Sequence, residues 1–123
     1  MEKHDYKLQM DLKYDYLEKI NVPEIVENCK DKWFNQSLCQ VNSSVFRIGI
    51  FDGEFHMHKH ENDDELFFVI DGSIVLETEN GSFVLNQYEG ICVPKGTMHR
   101  PIASKKAVVL MIENLGINPV GDQ

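Results

Sequence analysis

The chain has 123 residues, close to the commonest size of one domain and too short for two. Hydrophobic residues make up 42% and charged residues 26%, as in ordinary soluble globular proteins. The formal net charge is −8, which disfavours a nucleic acid or an anionic membrane as partner because phosphate binding depends on clustered Lys and Arg. No apolar run approaches the ~20 residues of a membrane helix, and the first residues contain no apolar signal segment. A cytoplasmic location is therefore expected.

Cysteine usage agrees with that expectation. Cys29, Cys39 and Cys92 show no Cys-x-x-Cys spacing, and three cysteines cannot all pair within one chain. Free thiols in a reducing cytosol are the predicted state.

The first forty residues differ from the rest of the chain. Met1 to Asp15 mixes polar and aromatic residues without a sustained period and is interpreted as an extended arm. A short helix is predicted from Pro23 to Lys32, with Asn21 or Val22 near its cap and proline at the first helical position. We expect residues 1–40 to form an arm and a helix that pack on a barrel made by residues 41–123, within one domain overall.

From Ser44 onwards, short strands follow one another, separated by Asp-Gly, Asn-Gly and Pro-x-Gly turns. This pattern predicts an all-β fold, a small antiparallel sandwich or barrel. The predicted strands are Ser44–Phe51, Leu66–Ile70, Ser73–Glu79, Ser82–Asn86, Gly90–Val93, Thr97–Ile102 and Ala107–Ile112.

The segment from Gly53 to Glu65 suggests a metal site. His58 and His60 are one residue apart, so both imidazoles would leave the same face of an extended strand. Glu65 follows the polar residues 61–64, where a hairpin would return a carboxylate to the same point. With His99 arriving from a later strand, these residues would give a site of three histidines and one carboxylate.

Few other side chains are candidates for catalysis or ligand binding. His56 shares the strand parity of His58 and is the candidate catalytic base, or an alternative ligand. Glu54 lies on that face too. Tyr88 and Arg100 are further candidates for binding a polar ligand, although Arg100 would face away from the metal.

The motifs resemble those of the cupin family. His58-Lys59-His60, Glu65 and Gly72 reproduce the spacing of the first cupin motif, and Pro94-Lys95-Gly96 with His99 matches the centre of the second. The resemblance covers about Val45 to Glu113. It implies a double-stranded β-helix, that is, a jelly-roll barrel, with His58, His60, Glu65 and His99 as ligands of one divalent transition metal ion.

Three positions depart from the family's motifs. Tyr88 stands where a glycine is expected, Ala103 stands where an asparagine is expected, and Gly53 is one residue too close to His58. None of these is a ligand position, so the departures concern the turns more than the metal.

The resemblance leaves the activity open. The family includes dioxygenases, sugar isomerases and epimerases, decarboxylases, and sensory or storage domains, and a shared fold does not specify function. The chain is similar to small stand-alone cupins of the mannose-6-phosphate isomerase-like type. Two interpretations stand: an isomerase-like or oxygenase-like enzyme of small polar molecules, and a metal-containing binding module without turnover. A third is an empty site inside a structural scaffold.

A homodimer is the predicted assembly. Leu66–Ile70 and Ala107–Ile112 are apolar on both faces, and large apolar patches seldom stay exposed on monomers. Either the N-terminal helix or a second copy must cover the outward side chains, and the cupin resemblance favours sheet-to-sheet pairing of two copies.

Overall fold

A computed structural model describes residues 6–118, 120 and 121. Within them one helix and eight strands follow in chain order, and the all-β class predicted from sequence is confirmed. The elements are β1 Lys7–Gln9, α1 Val22–Asn28, β2 Trp33–Val41, β3 Ser44–Glu54, β4 Glu65–Asp71, β5 Ile74–Thr78, β6 Gly81–Leu85, β7 Gly90–Val93 and β8 His99–Asn114. That helix is too short to cross a membrane, and no other helix occurs in the described part of the chain.

Strand β8 organises the barrel. Its second half pairs antiparallel with β3 on one side and β4 on the other, and its first half pairs with β5. The main path of the sheet runs β1-β2-β3-β8-β4-β7, and β5 carries β6 as a hairpin. The long strand therefore belongs to both halves of a jelly roll.

The sequence predicted two strands where the structure has β8 alone. The predicted strands Thr97–Ile102 and Ala107–Ile112 are joined because the exposed residues 104–106 stay extended between them. On the neighbouring strand the register shifts between Phe51 and Gly53. This irregularity lets β8 turn from one set of partners to the next without breaking.

Alternate residues of the strands face two different cores. The barrel interior holds an aromatic and aliphatic cluster that includes Trp33, Phe51, Phe67 and Met111. The outward face of β3 and β8 carries a second cluster, which α1 covers through Ile25. The N-terminal segment thus buries part of the outward apolar surface that the sequence analysis identified.

Helix α1 is shorter than predicted. Asn21 is its N-cap, as one of the two predicted alternatives, and its side chain accepts a hydrogen bond from the Glu24 amide at 3.1 Å. The helix ends at Asn28 rather than Lys32, because Cys29 is already extended. The chain must then reach Trp33, which is buried in the barrel interior.

The sequence analysis missed β2 and β1. Strand β2 pairs antiparallel with β3, and β1 pairs parallel with β2, so the sheet begins before residue 40. The inward face of β2 includes the buried polar residues Asn35 and Ser37, which conceal the alternation expected of a strand. Residues 1–5 of the predicted arm lie outside the described residues, and the division at residue 40 stays a prediction.

Candidate metal centre

His58 and His99 face each other across a single antiparallel bridge. The amide of His58 donates to the carbonyl of His99 at 3.0 Å, and the amide of His99 donates to the carbonyl of His58 at 2.8 Å. His99 is the first residue of β8, whereas His58 lies beyond the end of β3. The pair is therefore positioned by backbone hydrogen bonds although no regular strand contains His58.

The loop of the second motif fixes His60. The amide of Gly96 donates to the carbonyl of His60 at 2.8 Å, and the amide of Lys95 donates to the Asp64 carboxylate at 2.9 Å. Gly96 has φ +79°, a left-handed conformation that favours glycine. The Pro-x-Gly turn thus connects the two motifs directly.

Glu65 reaches the cluster by a different route from the one predicted. The sequence analysis expected a hairpin to return Glu65 beside the strand of His58 and His60. Instead Glu65 is the first residue of β4, which pairs with β7 and β8. The residues between His60 and Glu65 form a loop that carries the chain across the barrel mouth.

The structure brings together all four residues that the sequence analysis proposed as ligands. One donor atom from each of His58, His60, Glu65 and His99 lies within 4.8 Å of the others, and all four residues are buried. The Nε2 atoms of His99 and His60 lie 3.0 Å and 3.7 Å from Oε1 of Glu65. Because zinc binds nitrogen and oxygen donors at about 2.0–2.2 Å, donor atoms this close together could hold one such ion after the side chains adjust.

Hydrogen bonds to the backbone orient two of the imidazoles. Nδ1 of His58 lies 3.0 Å from the carbonyl of His56, and Nδ1 of His99 lies 2.8 Å from the carbonyl of Thr97. Because a carbonyl can only accept, each Nδ1–H donates, and the neutral ring keeps its lone pair on Nε2. For His99 that lone pair points at a carboxylate oxygen. A cation between Nε2 and the carboxylate oxygen would accept a lone pair from each, so the donor set fits a metal ion.

Burial keeps these rings neutral. Burial, together with the charge of the neighbouring His99, lowers the pKa of His58 to about 3. Burial also lowers the pKa of His99. Since metals bind the neutral imidazole, protons compete with a metal at His58 and His99 only below the usual histidine range.

A buried arginine–glutamate pair lies behind Glu65, and the sequence analysis did not identify it. Nε of Arg47 is 3.2 Å from Oε1 of Glu113, with both side chains almost fully buried. Leu66 pairs antiparallel with Ile112, so Glu65 and Glu113 are neighbours across β4 and β8. Burial, together with the charge of Glu65, raises the pKa of Glu113 to about 9. The sequence did contain one sign that Arg47 is buried. Arg47 lies four residues before Phe51 on the same strand, so both side chains point into the barrel.

The other candidate residues are not part of the cluster. His56 lies beside it, with its ring centroid 5.4 Å from that of His58 and its Nε2 2.6 Å from the carbonyl of Val120. Arg100 forms ion pairs with Glu77 and Glu54. Tyr88 is 70% exposed, in the turn before β7. The catalytic role of His56 stays a prediction.

Aromatic walls and the C-terminal segment enclose the cluster. A cavity of about 20 Å³ lies beside His58 and Glu65, with Trp33, Phe55 and Phe67 among its walls. The backbone of Gly121 approaches so closely that a Cβ there would lie 2.6 Å from Cβ of His58. The space next to the four residues is therefore small and largely apolar.

Fold and site together define a jelly-roll barrel with a buried cluster of three histidines and one glutamate, compatible with a metal site. A family model described as "Cupin domain" matches residues 50–113. The uncharacterised protein YdbB of Bacillus subtilis (strain 168) is 33% identical over 95 residues, which cover 76% of this chain and 84% of YdbB. The chain therefore belongs to the cupin family.

Solved structures agree with this assignment. A cupin-2 domain protein of Shewanella frigidimarina superimposes with a TM-score of 0.72 at 26% identity, covering 77% of this chain and 93% of that protein. A Neisseria meningitidis protein gives a TM-score of 0.69 at 23% identity, with 79% and 99% covered. The second likeness shows the fold alone. Together they confirm the double-stranded β-helix that the sequence analysis expected.

Proposed function

We propose that His58, His60, Glu65 and His99 hold one divalent transition metal ion per chain, and that the protein binds or transforms a small polar molecule there. The observation that carries this proposal is the convergence of four buried donor atoms within 4.8 Å. The backbone hydrogen bonds that leave Nε2 of His58 and His99 as metal-binding atoms support it.

The donor set restricts the class of metal. Three nitrogens and one oxygen without sulfur suit Zn, Fe, Mn, Ni or Co, and the general order of affinity favours the later metals. Such an ion, when bound, supplies Lewis acidity or, if it is redox-active, electron transfer to or from a ligand. The chain's own residues hold the ion, exclude water with aromatic side chains, and present His56 nearby.

The cavity favours a small ligand. At about 20 Å³ it holds about one water-sized group, so a sugar phosphate would require the segment around Val120 and Gly121 to move. Among the described residues Arg47 is the buried arginine or lysine, but Glu113, Asn35 and Ser37 already engage its guanidinium. These features disfavour the phosphorylated sugars suggested by the isomerase-like resemblance.

The first experiment is elemental analysis of protein purified without a histidine tag. Wild type is expected to contain one equivalent of metal, and both His58→Ala and His99→Ala are expected to lose it. His56→Ala is the matched control, because it removes a neighbouring imidazole outside the cluster. If wild type takes up no metal on reconstitution, or if the two ligand variants keep theirs, the proposed site is wrong.

The same variants separate the enzyme from the non-catalytic binding module. In an enzyme with His56 as its base, His56→Ala keeps the metal and loses turnover of a substrate that wild type converts. In a binding module, a ligand binds wild type tightly without turnover, and the affinity is lost in His58→Ala.

The proposed assembly is a homodimer through the outward face of β4 and β8. Leu66 pairs in register with Ile112 on one side and Cys92 on the other. Phe68 is 36% and Ile112 42% exposed, and α1 covers a different part of this face. Light scattering should give the mass of two chains, and Ile112→Glu should reduce it to one. A one-chain mass for wild type at micromolar concentration would contradict the dimer.

A cytoplasmic location also stays a proposal. It is supported by the three free cysteines, Cys29, Cys39 and Cys92, since a reducing compartment keeps thiols unpaired. Fractionation of cells that express the untagged chain would test it.

A further inference from the structure

A continuous buried polar chain leads from the barrel wall to Glu65. Arg47 on β3 points inward, where its guanidinium donates hydrogen bonds to Asn35 and Ser37 on β2. Its Nε lies 3.2 Å from Oε1 of Glu113 on β8. Glu113 is in turn the cross-strand neighbour of Glu65 on β4, because the adjacent residues Leu66 and Ile112 pair in antiparallel register. Side chains from four strands thus meet in one line that ends at a proposed metal ligand.

Stability alone does not explain why the barrel keeps Arg47 and Glu113 together. Their side chains are 1% and 2% exposed, and a fully buried Arg–Glu pair is often no more stabilising than well-packed apolar side chains of similar volume. The neighbouring inward residues Val45 and Met111 show that apolar side chains fit this part of the interior. The position of the pair, beside Glu65, supplies another reason.

We propose that the Arg47–Glu113 pair positions Glu65, holding its carboxylate toward His58, His60 and His99 and so setting the affinity of the centre for its metal. The inference rests on the proposed function, because it assumes that the cluster binds a metal ion. Arg47, held by Asn35 and Ser37, fixes Glu113, and Glu113 fixes the carboxylate of Glu65. Ligand orientation by such outer partners is a general property of metal sites.

Two substitutions of Glu113 separate position from charge. Glu113→Gln keeps the side-chain length, an oxygen for Arg47 and a hydrogen-bond donor for Glu65, but removes the carboxylate. Glu113→Asp keeps the carboxylate and withdraws it by one methylene from Glu65. Positioning predicts that the Gln variant binds Zn²⁺ or Co²⁺ as wild type does, whereas the Asp variant binds about 10- to 100-fold more weakly.

A double substitution separates positioning from folding. Arg47→Met with Glu113→Leu replaces the pair by apolar side chains of similar size and is expected to fold. It should still lose metal affinity about 10- to 100-fold, because nothing then orients Glu65. The matched control is Arg100→Met with Glu77→Leu, which removes a more exposed ion pair and should leave the affinity unchanged.

The measurement is competition against a chromophoric chelator with Zn²⁺ and Co²⁺, together with urea unfolding of each metal-free protein. Co²⁺ absorption also reports the ligand geometry, which a merely structural role would not alter. Wild-type affinity in the double variant, or weak binding by Glu113→Gln with normal binding by Glu113→Asp, would overturn the inference and leave the metal site intact. If wild type binds neither ion, the metal site itself is wrong, and the inference falls with it.

Discussion

The two faces of β3 are both buried, but the outward face is apolar whereas the inward face includes a charged side chain. The outward side chains of Ile48 and Ile50 are fully buried in an apolar cluster beneath α1. The inward face includes Arg47, which is buried just as completely but engaged in hydrogen bonds and paired with Glu113. The outer face stabilises the fold through apolar packing, whereas part of the inner face supports the candidate metal centre.

The largest effect is expected on the outer face. Ile48→Ala removes a side chain with no exposed surface, and the resulting cavity should lower the free energy of unfolding by about 2–5 kcal/mol. Urea unfolding of the metal-free protein measures this loss. Metal content per folded chain should not change, since Ile48 points away from the cluster.

Val84→Ala is the matched control for that prediction. Val84 is an apolar residue on the edge strand β6 and is 65% exposed, so its truncation should change stability by less than about 0.5 kcal/mol. If Ile48→Ala removed the metal without destabilising the chain, the division between the two faces would be wrong.

Because Glu113 is buried inside the barrel, the free energy of unfolding of the metal-free protein should depend on pH. Folded Glu113 keeps its proton up to a pKa of about 9, whereas the ordinary pKa of a glutamate side chain is 4.5. Between these values the folded state binds more protons, so stability falls as pH rises, by up to about 1.4 kcal/mol per pH unit. Between pH 7 and 9 histidine contributes little to this slope, because the pKa of His58 is lowered to about 3 in the folded state from an ordinary value of 6.5, so the ring is mostly neutral in both states.

Glu113→Gln sharpens the test. The amide cannot titrate, so the loss of stability between pH 7 and 9 should be smaller in this variant than in wild type. A small slope can remain, because burial also raises the pKa of Glu65. Equal slopes in the two proteins would show that Glu113 is ionised in the folded state.

The smallest effect is expected in a turn that belongs to neither face. Tyr88 has φ +68°, a left-handed conformation that costs a residue with a Cβ about 1–2 kcal/mol. Tyr88→Gly should therefore raise the free energy of unfolding by up to about 1 kcal/mol, after the greater freedom of unfolded glycine is deducted. Tyr88→Phe keeps the strain and should leave stability unchanged, so a gain in both variants would rule out backbone conformation as the cause.

Tyr88 also illustrates how far the sequence could be interpreted. The cupin motif predicts a glycine at this position, and the backbone adopts the conformation that a glycine would favour. His58, His60, Glu65 and His99 were likewise recognisable because the motif fixes their spacing. The expectation that these four residues converge came from the resemblance to the cupin family, because strand parity alone did not predict the bridge between His58 and His99.

Features without a motif were harder to predict. Arg47 and Glu113 lie 66 residues apart in the sequence, and although Arg47 shares the strand parity of Phe51, nothing near either residue indicates that they pair. Strand β2 escaped because Asn35 and Ser37 face inward to bind Arg47, which gives its inner side the polarity of a surface. Both omissions have one cause. Strands are predicted from alternating apolar and polar residues, and polar residues that point into the interior interrupt this alternation.

The position of β8 has a consequence for how the molecule opens. Because β3, β4 and β5 all pair with it, neither half of the barrel can separate without breaking hydrogen bonds to the same strand. Amide hydrogens in the second half of β8, which pairs with β3 and β4 on its two sides, should therefore exchange with solvent only when the whole domain unfolds. Edge strand β6 pairs with β5 alone and can exchange through local opening. His99 is the first residue of β8, so one proposed metal ligand belongs to the strand that pairs with β3, β4 and β5.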